Sequence, residues 1–229
     1  MGHTGAVTQI VPLPDGKSFL AGSWDNTVKH WDLASGKEIR TFKGQSSPIL
    51  LHDNKSFLTA SDDKTIKHWD ISTGKEIHTF AGHTDLIWQI LFLPDNTSFL
   101  TASSDKTVKH WDISTGKEIH TFAGHTGSVY EILLLPDNTS FLTRSYDKTV
   151  KHWDLASGKE IHAFAGHTDK ITNVLLLPDN TSFLTTSEDN TVKHWDLATG
   201  RELGTFRSRY GVEVFCLSTS SPTASALSQ

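Results

Sequence analysis

Thr73-Gly74-Lys75-Glu76-Ile77-His78-Thr79-Phe80-Ala81-Gly82-His83-Thr84 returns unchanged at residues 115–126. Leu93-Pro94-Asp95-Asn96-Thr97-Ser98-Phe99-Leu100-Thr101 likewise reappears at 135–143 and 177–185. A Trp-Asp pair punctuates the copies at 31, 69, 111, 153 and 195, at intervals of 38, 42, 42 and 42 residues. Self-similarity at such a period marks a repeat architecture, in which each unit buries its apolar faces against its neighbours. Counted from Gly2, the units are 2–43, 44–81, 82–123, 124–165 and 166–207, leaving 208–229.

The fourth unit shows what one copy folds into. Ser128 to Leu135 is a nearly continuous apolar run, as expected of a strand buried on both faces. Pro136-Asp137-Asn138 supplies a tight turn, and residues 140–145 form a second strand. Tyr146-Asp147-Lys148 turns the chain again into Thr149–Trp153, which is rich in β-formers. Ala156-Ser157-Gly158 leads to a fourth strand over Lys159–Phe164, with Gly158 free to take positive φ. Each unit therefore reads as a four-stranded antiparallel meander, too small to bury both faces alone. Radial stacking of copies supplies the missing cover.

Composition agrees with a folded all-β chain. Of 229 residues, 36% are apolar and 21% charged, which excludes disorder and permits a sizeable core. The net charge of −5 is unclustered and gives no support for a nucleic-acid or membrane-surface partner. The single cysteine, Cys216, excludes an internal disulfide. No stretch approaches the roughly 20 apolar residues of a membrane span, and the start lacks a basic head followed by an apolar run. A cytoplasmic location is the expectation.

Gly-His at the start of a unit, Ser-x-Asp in the second turn and Trp-Asp ending the third strand resemble the WD-repeat β-propeller family. The resemblance spans 2–207 and implies a propeller of five complete blades, with 208–229 as a partial sixth blade and a Ser/Thr/Ala-rich tail. It also implies a hydrogen-bonded chain of His, hydroxyl, Asp and Trp within each blade. Carried over by position, the first blade would use His3, Ser23, Asp25 and Trp31. The third would use His83, Ser103, Asp105 and Trp111, the fourth His125, Ser145, Asp147 and Trp153, and the fifth His167, Ser187, Asp189 and Trp195. Blade two has Ser61, Asp63 and Trp69, but Gln45 replaces histidine and its first strand is four residues short.

Ser, His and Asp together also invite a hydrolytic reading. A catalytic site grafted onto a repeat should break it rather than follow it, so the recurrent set reads as structural bracing and the chain as a non-enzyme. The 13 histidines follow the repeat too: five precede the Trp, at 30, 68, 110, 152 and 194. Copies in neighbouring blades are too far apart to converge on one ion, so neither metal nor cofactor is expected. Buried neutral, those rings would make the fold acid-sensitive.

The two rims differ sharply in variety, the Pro-Asp-Asn and Gly-Lys-Glu turns of one being nearly identical from blade to blade. For His83 to reach Asp105, the loop entering the first strand and the turn after the second must lie together. At that rim the repeat gives way to Ala6 and Thr8, Trp24, Asp62, Leu86 and Trp88, Ser104, Ser128 and Tyr130, Tyr146, Lys170 and Thr172, and Glu188. Large aromatics and charges at otherwise repetitive positions resemble an interface hot-spot set. The resemblance points to the same rim as a surface for peptide or protein partners. The expected function is therefore a protein-interaction scaffold. Its alternative is a propeller fragment or the sensor part of a multidomain signalling protein, working by self-association through unclosed ends as a homo-oligomer or within a larger assembly.

Overall fold

The computed structural model of the protein describes residues 2–44 and 47–207. Every described element is a strand. Blade one holds β1 (Val7–Pro12), β2 (Ser18–Ser23), β3 (Thr27–Asp32) and β4 (Glu38–Lys43). Blade two holds β5 (Ile49–Leu50), β6 (Ser56–Ala60), β7 (Ile66–Asp70) and β8 (Glu76–Phe80). Blade three holds β9 (Ile87–Phe92), β10 (Ser98–Ser103), β11 (Thr107–Asp112) and β12 (Glu118–Ala123). Blade four holds β13 (Val129–Leu134), β14 (Ser140–Ser145), β15 (Thr149–Asp154) and β16 (Glu160–Ala165). Blade five holds β17 (Ile171–Leu176), β18 (Ser182–Ser187), β19 (Thr191–Asp196) and β20 (Glu202–Arg207). Each is a separate four-stranded sheet paired in chain order. The 38-residue unit has its deletion in β5, two residues long where β9 has six. Gln45 and the expected partial sixth blade over 208–229 fall outside the described residues.

Turn chemistry makes the meander. Each turn of blade four closes on one residue in the left-handed region: Asn138 at φ 56°, Lys148 at 70° and Gly158 at 72°. An aspartate braces each one. Asp137 accepts the Thr139 N–H at 2.9 Å, Asp147 that of Thr149 at 3.0 Å, and Asp154 that of Ser157 at 2.7 Å. A short acceptor side chain that bonds backbone two or three residues on favours a turn over continued strand.

Second strands alternate between two apolar faces. On β14, Phe141 packs back onto Phe122 of blade three, while Leu142 packs forward with Phe183 and Trp195 of blade five. Both faces being covered there, adjacent Phe141 and Leu142 are both apolar and both buried. At each junction a phenylalanine of the fourth strand sits edge-on to a phenylalanine of the next blade: Phe42 to Phe57 at 4.8 Å, Phe80 to Phe99 at 4.9 Å, Phe122 to Phe141 at 4.8 Å and Phe164 to Phe183 at 4.7 Å. Between blades the close approaches are made by first and second strands, β9 and β10 to β13 and β14 to β17. The wedges thus converge on their inner strands. They do not close: Phe206, the counterpart of Phe164, is 60% exposed where Phe164 is 1%.

Candidate functional site

The bracing set recurs, with one correction to its membership. Trp111 Nε1 donates to Thr101 Oγ1 at 2.8 Å, His83 Nε2 lies 2.7 Å from the same oxygen, and His83 Nδ1 meets Asp105 Oδ2 at 2.7 Å. An ionised Asp105 can only accept, so Nδ1 carries a proton and Nε2 is free to accept from the Thr101 hydroxyl. Blade four repeats this through Thr143, and blade five through Thr185. In blade two Trp69 donates to Thr59 at 3.0 Å. The hydroxyl is therefore a threonine two residues before the expected Ser61, Ser103, Ser145 or Ser187. Ser103 accepts the Asp105 N–H and donates to the Asp85 carbonyl, both at 3.1 Å, so it locks the turn to the incoming loop and does not address the imidazole. Blade one departs further. Ser23 serves the same turn, accepting from Asp25 N, but Ala21 stands where the threonines stand and His3 Nε2 is buried without a bond.

Register explains the correction. Phe99 lies opposite Trp111 and Thr101 opposite Lys109. The indole is thus diagonal to Thr101, within about 7–8 Å between backbones, whereas Ser103 is two further residues away along the strand, about 6.6 Å. Burial opposes ionisation at Asp105, but bonds from His83, Thr107 and the Thr84 backbone outweigh it and hold the carboxyl well below its usual range. Asp25, Asp147 and Asp189 behave alike.

Of the five histidines before the tryptophans, four are buried and His194 is half-buried. His30, His68, His110 and His152 have no bond at either ring nitrogen. No group of three or more metal-binding side chains converges among the described residues.

On the rim of blades one, three, four and five, backbone bonds tie the turn to its entering loop: Trp24 N to Ala6 O, Ser104 N to Leu86 O, Tyr146 N to Ser128 O and Glu188 N to Lys170 O, at 2.8–3.0 Å. Trp24, 73% exposed, stands by itself on blade one, with Thr8 bonded to Gly22 O nearby. Trp88, 53% exposed, donates to Ser104 at 2.6 Å. Beside it a groove of about 410 Å³ runs along the inner edge of blades two and three, lined by Ile49, Ala60, Leu86, Ile87 and Trp88. It opens where β5 is short. Asp62 is exposed on blade two.

Blades four and five carry a contiguous cluster. Tyr130 and Tyr146 lie 4.7 Å apart, with the Arg144 guanidinium 4.4 Å over Tyr130 and the Lys170 ammonium 5.0 Å over Tyr146. Arg144 pairs with Glu131 at 2.6 Å and Lys170 with Glu188 at 3.9 Å. Tyr130, expected as a rim contact, is half-buried and donates to Ile171 O at 2.6 Å, so it also staples blade four to blade five. Its burial outweighs the Arg144 charge and pushes the phenol up to about 12. Arg144, Glu131 and Gln89 were missed by the sequence reading. Arg144 had left a signal, because Gly22, Ala60, Ala102 and Thr186 occupy its place in the other units. Gln89 likewise bridges blades, accepting from Ile132 N at 2.6 Å.

The family model for the WD domain, G-beta repeat, matches residues 1–32, 36–70, 74–112, 116–154 and 158–196. Each later match pairs the outer strand of one blade with the inner three of the next, so sequence repeat and sheet are offset by one strand. The chain is also similar to the Drosophila melanogaster small ribosomal subunit protein RACK1, 46% identical over 39 residues. That stretch covers 17% of this chain and 12% of the relative. With five matches spanning well over half its length, the chain belongs to the WD-repeat family.

Proposed function

We propose that this protein is a non-enzymatic scaffold whose rim of entering loops and second turns binds a peptide or protein partner. WD repeats as a family mediate protein–protein interaction, which supports the class of function. The observation that carries the choice of rim is the exposure of Trp24, Trp88 and Tyr146 at positions where the repeat varies, with Trp88 lining an apolar groove. Large aromatics supply much contact area at little entropic cost and dominate binding interfaces. Tyr146 is held in place by its tilted contact with Tyr130, and Trp88 by its bond to Ser104, so both are pre-ordered for contact. The bracing sets support a structural role: in blades three, four and five the imidazole is spent on a threonine and an aspartate, away from Ser103 and its equivalents.

Affinity capture from native lysate tests this. The unaltered chain should retain a partner that the Trp24→Ala/Trp88→Ala/Tyr146→Ala variant loses, with unchanged circular dichroism. Lys75→Ala/Lys117→Ala/Lys159→Ala, on the opposite rim, should retain it. Identical capture by all three would defeat the proposal.

A further inference from the structure

The two ends of the blade array are the two halves of a junction that the chain already makes four times. Between blades one and two, Leu13, Leu20, Val28 and Phe42 on the outgoing face receive Phe57, Trp69 and Ile71 of the incoming face. The next three junctions repeat the arrangement position by position. Blade five presents the outgoing set as Leu177, Leu184, Val192 and Phe206, and Phe206 is 60% exposed where its four counterparts are at 0–1%. Blade one presents the incoming set as Phe19, Trp31 and Leu33, and Leu33 is 57% exposed where Ile71 is 8%. Ile10, whose counterparts Ile90 and Ile132 pack into junctions, is 62% exposed. Faces that a repeat normally covers with its own next copy are left apolar and open.

From this we infer that a second copy of this chain docks head to tail, its blade-one face on the blade-five face of the first, with Phe206 set edge-on against the partner copy's Phe19 and Trp31. The occupant is argued from chemistry: among the described residues, the surface that fits an outgoing face four times over is the incoming face of a blade with this sequence, and the chain carries an open one. The contact is reversible. At internal junctions a fourth-strand side chain also reaches across to a carbonyl of the next blade, Arg40 to Ser72 O at 2.7 Å, His78 to Ser114 O at 2.9 Å, His120 to Ala156 O at 2.9 Å and His162 to Ala198 O at 2.8 Å. Blade five has Gly204 at that position, so its junction keeps the apolar packing and lacks the polar clamp. Because the contact joins unlike faces, copies either close a ring or extend a chain.

Sedimentation velocity of the full chain across about 1–200 µM provides the test. The unaltered chain should shift from monomer to a larger species. Phe206→Asp should remain monomeric throughout, as should Ile10→Asp/Leu33→Asp; these side chains are exposed, so folding should be kept and circular dichroism should show it. Mixed in equal amounts, the two variants should give a dimer and nothing larger, because each retains one intact face. Gly204→His, where a side chain meets only the rim of Phe206 at 3.9 Å, should restore the clamp and lower the concentration of half-association about tenfold, the worth of one added hydrogen bond. A chain monomeric at 200 µM overturns the inference, as does association that survives both face variants. So does a monomer that loses thermal stability with Phe206→Asp, since that face would then be covered from within the same chain.

Discussion

Ala21 occupies in blade one the place from which Thr101 bonds His83, and His3 Nε2 is buried there with no hydrogen-bond partner. The other half of the brace survives, His3 Nδ1 meeting Asp25 at 2.9 Å. A buried polar nitrogen left unpaired costs about 1–3 kcal/mol. Ala21→Thr should therefore stabilise the protein by about 1 kcal/mol, raising Tm by about 2–4 °C in a chain of this size. Differential scanning calorimetry measures it, and an unchanged or lower Tm would show that the site cannot admit the hydroxyl.

The threonine assignment has a direct test in blade three. Thr101→Val keeps the shape but strands the Trp111 N–H and His83 Nε2, and should cost about 2–4 kcal/mol. Ser103→Ala loses only two turn bonds and should cost about 1 kcal/mol. Urea unfolding gives both values. Equal losses would return the serine to the bracing set.

Acid should destabilise the fold in two stages of known sign. His30, His68, His110 and His152 have their basicity lowered, first by burial. Around His110 the facing groups are Asp95, His120 and Asp112; around His152 they are His162, Asp137 and Asp154. The unfolded chain binds more protons than the folded one once pH falls below about 6.5, so stability declines there. The bracing aspartates act with the same sign in a more acidic window: their folded values lie below the unfolded ones, so their contribution persists above about pH 4 and is lost below it. Only the histidines act between pH 7.5 and 5.5. Tm should drop over that interval in the unaltered chain and drop less in His110→Leu/His152→Leu. A flat profile would contradict the histidine account.

Arg144→Ala should cost about 2 kcal/mol, because it leaves Glu131 half-buried and unpaired and removes both the cation over Tyr130 and the bond to Ile171 O at 3.1 Å. The matching change in the same strand of blade three, Ala102→Ser, tests mere packing there and lacks the cross-blade component. Hydrogen exchange should show faster opening of β17 in Arg144→Ala. Protection equal to that of the unaltered chain would reduce Arg144 to a surface charge.

Much of the fold was legible because repetition is local information read several times. Unit four's second strand coincides with β14, and its other strands differ from the expectation by a residue or so at the ends. Aspartate-led turns and alternating apolar residues act over two to four positions, which a linear reading can see. The rim was singled out for the same reason, as the place where the turns of near-identical units differ most. Arg144 and Gln89 were harder. Each lies inside a strand whose periodicity predicts only burial, and each matters through a residue 27 or 43 positions away.

The sequence by itself determined the four-stranded antiparallel sheets and the turns between their strands, because periodicity and turn chemistry are satisfied within a few neighbouring residues. Tertiary structure decided which hydroxyl completes the brace, since strand register sets Trp111 diagonal to Thr101 and leaves Ser103 beyond reach. It also decided that Tyr130 is a staple as well as a rim residue, and that Phe206 and Leu33 lie open while their counterparts are buried. Those outcomes depend on what the neighbouring blade places opposite a side chain, and that distance is fixed by packing between sheets rather than by spacing along the chain.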